Sequence, residues 1–256
     1  MTLVQRQIAD GVGRITLNRP SRMNAITVAL ARGLETALLE VGNDPAVNVV
    51  VIRGADGNFC AGGDFTEVER LTAEGAVALR SLFVAFRRAC DSIASLEAPV
   101  VAAVEGIAVA GGFELMQAAD IVLVSDEARI ADNHIKYGMI PGGGSTQRLA
   151  RLIGRQQALG LLLSGDRISG TDAVRLGLAY RSFPQAGFDD GVDRFVAELA
   201  GRSRGSVTSI KRLVYAGLES SLPAGLDDET DSVVAHICGG AGHNGANAFN
   251  QRSERK

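Results

Sequence analysis

Two short stretches of this chain expose backbone rather than side chain: Ala61-Gly62-Gly63-Asp64 and Ala110-Gly111-Gly112-Phe113. Each follows a run that reads as a strand, Val47 to Ile52 before the first and Pro99 to Val104 before the second. Residues this small let a ligand come within hydrogen-bond reach of the main chain. If the two strands are neighbours, one N–H from each stretch can point at a single oxygen, and such an oxyanion pair stabilises negative charge as it develops. The second stretch also opens a helix, whose first N–H groups are unpaired and whose dipole favours an anion. Glu114 adds a carboxylate on that helix's first turn. Taken singly, these features equally describe tight turns and a carboxylate that complements a helix dipole.

Other chemistries find less support. Gly57 to Gly63 lacks the Lys-Ser/Thr that a P-loop needs, no G-x-G-x-x-G joins a strand to a helix, and the G-x-S-x-G of a serine nucleophile elbow is absent. Gly142-Gly143-Gly144-Ser145-Thr146 reads either as a phosphate cradle at a helix start or as a plain glycine-rich turn. Cys60, Cys90 and Cys238 are odd in number and widely spaced, which fits neither a disulfide framework nor a C-x-x-C pair and points to a reducing, cytoplasmic setting. His134, His236 and His243 have no ligand-pair spacing, so no metal site is expected. A formal charge of −3 gives no general electrostatic reason to bind nucleic acid. No apolar run approaches membrane-spanning length, and the first residues lack a signal-peptide profile.

The elements that must position the glycine stretches alternate. Gly13 to Leu17 reads as a half-buried strand, Thr27 to Val41 as a helix, and Val47 to Ile52 as a strand covered on both faces. A helical pattern runs from about Ala73 to Leu96. After the helix bearing Glu114 come short strands at Ala119 to Ser125 and Ala128 to Ala131, a loop from His134 to Gly144, and helices ending at Gly154, Ser164 and Gly177. Leu178 to Phe183 reads as another strand. From about Asp189 onward the pattern is helical, with breaks at Gly205-Ser206 and Leu222-Pro223, and a boundary near residue 198 divides a core, 1–198, from a helical segment, 199–256.

In this order and spacing, the motifs resemble the enoyl-CoA hydratase/isomerase (crotonase) superfamily. They are Asn18-Arg19-Pro20 with Asn24-Ala25, Phe59 to Asp64, Pro99 to Gly106 leading into Gly111-Gly112-Phe113-Glu114, Ala119-Asp120, and Gly138 to Leu149. The resemblance implies an α/β fold, a spiral of ββα units with a C-terminal helical trimerisation segment, assembled as a homotrimer or a dimer of trimers. It implies an acyl-CoA thioester as substrate, with coenzyme A as part of that substrate and no separate cofactor. Carried over residue by residue, Gly63 and Gly111 form the oxyanion hole. Arg22 and Ala25, with Ala61 and Gly62, line the CoA groove, and Phe249 and Arg252 help to wall it. Near Phe249 the family's usual basic pair is reduced to one cation, Arg252.

The hydratases of this superfamily use two glutamates, one to take a proton from water and one to deliver a proton to the α-carbon. Glu114 matches the first. Twenty residues on, where the second should stand in a Gly-x-Pro-Glu segment, this chain reads Ala131-Asp132-Asn133-His134, and His134 takes the position without a gap. Three readings follow: a histidine that replaces the acid in a hydratase, since an imidazole titrates near neutrality; a sister reaction such as isomerisation, decarboxylation or C–C hydrolysis of a β-dicarbonyl; or a hydrogen-bonded loop histidine in a weak or inactive acyl-CoA-binding scaffold. The sequence favours reversible hydration of a 2-enoyl-CoA, with Glu114 and His134 as the catalytic pair.

Overall fold

The computed structural model describes residues 2–239, so Phe249 and Arg252 lie outside the described residues. The chain begins with a hairpin, β1 (Val4–Ala9) and β2 (Val12–Leu17), paired antiparallel. Its turn is Asp10-Gly11, both at positive φ, the backbone that a two-residue hairpin favours. Sequence periodicity had marked only the second of these strands. The reason is that β1 is exposed at every residue but Val4 and, partly, Ala9, and so has no apolar alternation to read.

Helix α1 (Val28–Gly42), capped by Thr27, leads to β3 (Val49–Gly54). The helix expected from about Ala73 to Leu96 is present as the second of two, and the one before it was not marked by the sequence pattern. Asp64 caps α2 (Phe65–Glu74) through the Glu67 N–H, and Gly75, at φ 104°, separates it from α3 (Ala76–Ser95). Next come β4 (Val100–Val104), a short β5 (Ile107–Val109) and α4 (Gly111–Ala118), then β6 (Ile121–Ser125) and β7 (Arg129–Ala131). A 3-10 turn at His134–Tyr137 precedes α5 (Ser145–Ile153), α6 (Arg155–Ser164), α7 (Gly170–Arg175), β8 (Arg181–Phe183) and α8 (Phe188–Ala200).

Six strands form one sheet in the order β1-β2-β3-β4-β6-β8, parallel from β2 onward. One face packs Ile15, Ile52, Ala102 and Val104 into the main core with Leu30, Leu34 and Leu38 of α1 and Ile93 of α3. The other buries Val49, Val51, Val101 and Leu123 with Phe188, Val192 and Val196 of α8. Burial on both faces is why β3 and β4 read as unbroken apolar runs.

After each long strand the chain lays a second, shorter extended segment beside those of its neighbouring turns. Ile26 bridges Gly63, Cys60 bridges Ala108, β5 pairs with β7, and Ile130 bridges Ile168. This layer, stacked rung on rung, is the ββα spiral. Of its rungs only β7 was marked in the sequence, within Ala128 to Ala131, because each is only one to three residues long and shows no period.

The chain divides into two compact units, Met1–Gly201 and Arg202 onward. The second contains α9 (Arg204–Glu219) and α10 (Leu222–Cys238), capped by Ser203 and Ser221. The expected break at Gly205-Ser206 falls inside the first turn of α9. Arg212 of α9 reaches Asp228 of α10 at 3.0 Å.

Candidate active site

The short rungs carry the glycine stretches to one place. Three main-chain bonds join the first loop to the second rung: Ala61 N–H to the Met23 carbonyl at 2.9 Å, Ile26 N–H to Gly62 at 2.7 Å, and Asp64 N–H to Ile26 at 2.9 Å. Because Gly62 and Asp64 face Ile26, the intervening Gly63 N–H faces the other way. On that side lies the start of α4. A Cβ placed on Gly62 would sit 2.7 Å from the Ala110 Cβ and 3.1 Å from the Gly111 nitrogen, so the two stretches abut. Among the described residues neither the Gly63 nor the Gly111 N–H is given to a protein acceptor.

Gly112 is required for that approach, since a Cβ there would lie 2.1 Å from the Cys60 carbonyl oxygen. Ala110 turns the chain into α4 at φ 49°, ψ −117°, a conformation that costs a non-glycine residue about 1–3 kcal/mol. Cys60 beneath the floor is fully buried, and burial pushes its thiol up to about 12, which leaves it inert.

Glu114, one turn into α4, is 2% exposed. Its Oε1 accepts from the Gly143 N–H at 2.7 Å and the Ser145 N–H at 3.1 Å. The glycine run that sequence read as a phosphate cradle or a plain turn thus holds a carboxylate of its own chain. Gly143 also cannot be larger, because its Cβ would meet Phe86 at 2.3 Å. Burial raises the Glu114 pKa above the ordinary carboxylate range, and the Ser145 N–H, the charge of His134 and the Gly143 N–H only partly offset this.

His134 opens the 3-10 turn with its side chain mostly covered. Its Nδ1 lies 2.6 Å from Asp132 Oδ1, and Asp132 is 1% exposed. Burial by itself would lower the histidine pKa, but the Asp132 hydrogen bond and charge, with Glu114 adding, together raise it above its ordinary value. With Nδ1 engaged by a carboxylate, Nε2 is the nitrogen left for chemistry. Asp132 Oδ2 is buried and has no hydrogen-bond partner among the described residues. By residue type alone, Asp132 reads as a turn residue that could also orient the ring. Its distinguishing signal, an acid two residues before a histidine, is too common to have singled it out.

Glu114 and His134 line the same cavity, of about 530 Å³, together with Gly63, Gly111, Arg22, Ala25 and Ala61. Leu82, Phe83 and Phe86 of α3, with Met139 and Ile140, form an apolar wall near Glu114. Gly62 is buried under the floor rather than lining the cavity. The first loop is rigidly built. The fully buried Asn24, at φ 58°, accepts from the Arg19 N–H and donates to the Ala55 and Asn58 carbonyls, and Arg19 reaches the Ala25 carbonyl and Asp64. Arg22 is engaged by no ion pair among the described residues.

Residues 7–254 match the family described as Enoyl-CoA hydratase/isomerase. The chain belongs to that family. Among its relatives, the mitochondrial enoyl-CoA hydratase of Pongo abelii is 35% identical over 84% of this chain and 72% of its own. A probable enoyl-CoA hydratase of Mycobacterium bovis is 33% identical over 88% and 84%. The crystal structure of an enoyl-CoA hydratase from Bacillus anthracis is 28% identical, with a TM-score of 0.92 over 98% of this chain and 96% of that one. The fold is therefore the crotonase fold with C-terminal helices, and this family member is a crotonase-superfamily acyl-CoA enzyme.

Proposed function

We propose that this enoyl-CoA hydratase/isomerase family member adds water reversibly to a 2-enoyl-CoA. The observation that carries the reading is a buried carboxylate and a carboxylate-held imidazole lining one cavity beside two unspent N–H donors. Gly63 and Gly111 grip the thioester oxygen, and the enoyl β-carbon becomes electrophilic as charge moves onto that oxygen. Ionised Glu114 takes a proton from water as its oxygen bonds to the β-carbon. Protonated His134 gives a proton from Nε2 to the α-carbon. One O–H bond breaks, one C–O and one C–H bond form, and a proton passing from Glu114 back to His134 through solvent resets the site. The required charge states support each other, since each group's charge favours the ionised form of its partner.

Arg22, Ala25 and Ala61 are assigned to the CoA groove. Self-assembly through the second unit is supported by its exposed Ile210, Val214, Leu218 and Val234, and size-exclusion chromatography with light scattering tests it.

A panel of enoyl-, 3-hydroxy- and β-keto-acyl-CoA substrates, followed by mass spectrometry, tests the reaction. Hydration predicts a gain of one water on crotonyl-CoA, and His134→Ala lowers that rate by about 10²-fold. Full activity of His134→Ala from pH 6 to 8 defeats the role given to it.

The Asp132–His134 pair favours one second reading. A carboxylate-held imidazole is also suited to deprotonate water for attack on a β-dicarbonyl, in C–C cleavage. The sign of the pH dependence separates the two. Hydration needs protonated His134 and fails as pH rises through its pKa, whereas cleavage needs the neutral ring and fails as pH falls.

A further inference from the structure

We propose that Arg129 and Arg167 form an anion subsite on the cavity floor that takes a phosphate of the coenzyme A moiety, separate from the one offered by Arg22.

The register places the two arginines together. Ile130 and Ile168 exchange both main-chain hydrogen bonds, at 3.1 and 2.9 Å, as an antiparallel pair. Ile130 is fully buried, so its neighbour Arg129 must project to the opposite face, and Arg167, next to Ile168, projects the same way. Both line the cavity and both are exposed to solvent, where a ligand can reach them. Among the described residues neither guanidinium group has a hydrogen-bond or ion-pair partner, and the Arg129 main-chain N–H donates to the Gly106 carbonyl. Several other arginines of the first unit are committed, Arg14 to Asp193, Arg53 to Asp189 and Glu105, and Arg148 to Asp91. Two guanidinium groups on one cavity wall without a carboxylate between them repel each other until an anion joins them, and paired forks suit phosphate oxygens.

Their position along the floor selects which anion. Arg129 is in register with Ile107 at the start of the paired rungs β5 and β7, which run from there toward the Ala110 turn and Gly111 on one strand and toward His134 on the other. The reacting carbonyl sits at Gly111, and Glu114, His134 and the apolar wall of Leu82, Phe83 and Phe86 flank the acyl side. Arg129 begins its rung at the end away from Gly111 and His134. A carboxylate on a short acyl chain stays within a few bonds of the carbonyl, whereas the pantetheine arm carries its phosphates far from the sulfur.

The proposal rests on the acyl-CoA reading, and the test keeps the two apart. Binding of CoA, dephospho-CoA, crotonyl-CoA, crotonyl-pantetheine and glutaconyl-pantetheine is measured by calorimetry on the wild type, Arg129→Gln, Arg167→Gln and Arg129→Lys. Each Gln variant should weaken the phosphate-bearing ligands by roughly 5- to 30-fold, while the Lys variant recovers part of the loss. The wild-type affinity for them should fall with added salt, as expected for exposed charges. Crotonyl-pantetheine, which has no phosphate, should bind all four proteins equally. A loss on dephospho-CoA as great as on CoA places a diphosphate oxygen between the arginines, and a loss confined to CoA places the 3′-phosphate there. A loss on glutaconyl-pantetheine alone assigns the pair to an acyl carboxylate and overturns the proposal, as does unchanged binding of every ligand. A wild type that binds no CoA thioester at all defeats the acyl-CoA reading itself.

Discussion

The two groups to which proton transfer is assigned are held in opposite ways. Glu114 sits deep in the core on a helix, and its partners are backbone N–H groups from the start of α5, which cannot titrate. His134 sits on a short 3-10 turn at the cavity's edge, and its partner is a side chain, Asp132, whose charge acts directly on the ring. The first arrangement fixes position and leaves burial to set the proton affinity. The second sets proton affinity by one carboxylate, so a single substitution can retune it. Under the proposed mechanism, the glutamate side is the fixed half of the site and the histidine side is the half that a single substitution retunes.

Removing the glutamate's charge is expected to have the largest effect. Glu114→Gln keeps an oxygen for the Gly143 and Ser145 N–H groups but cannot accept water's proton, so kcat falls by about 10² to 10⁴ while acyl-CoA binding survives. Turnover within tenfold of wild type would remove Glu114 from the mechanism.

Next comes the floor that both sides share. In Gly112→Ala a methyl group must displace the Cys60 carbonyl or the first turn of α4, moving the Gly111 N–H. The expected outcome is a rate loss of about 10²-fold or more with about 1–3 kcal/mol of lost stability, read by denaturant titration. An unchanged rate would mean that Gly111 is not a donor to the reacting oxygen.

The smallest and most diagnostic change is Asp132→Asn. It retains an acceptor for Nδ1 and removes the charge, so a loss of about tenfold in kcat is expected with KM unchanged. The folded-state pKa of His134 is raised by Asp132, so losing that charge lowers it, and the alkaline limb of the hydration profile moves to lower pH. The acid limb, set by Glu114, should move much less. Parallel movement of both limbs would show that the two groups titrate as one unit rather than as the separately tuned pair described above.

Much of this was legible in the sequence, and the failures share a cause. Long amphipathic or fully buried segments, such as α1, β3 and β4, announce themselves because many residues repeat the same signal. The rungs Cys60 and Ile107 to Val109 carry too few residues for any period, although they build the floor. Gly63, Gly111, Glu114 and His134 were reached through motif order, and all four line one cavity. Gly62 was assigned with them but is buried below, because adjacent residues of an extended segment face opposite sides.

Sequence by itself determined the family, the glycine stretches and the substitution of a histidine for the expected glutamate, because these are matters of residue type and spacing. Only the tertiary structure decided what those residues touch. It spends the N–H groups of Gly143 and Ser145 on Glu114, sets Asp132 against the His134 ring and brings Arg129 and Arg167 onto one face. Each of these depends on contact between segments distant in sequence or on which side of a strand a residue faces. Contacts of that kind follow from packing and register, which composition and spacing do not encode.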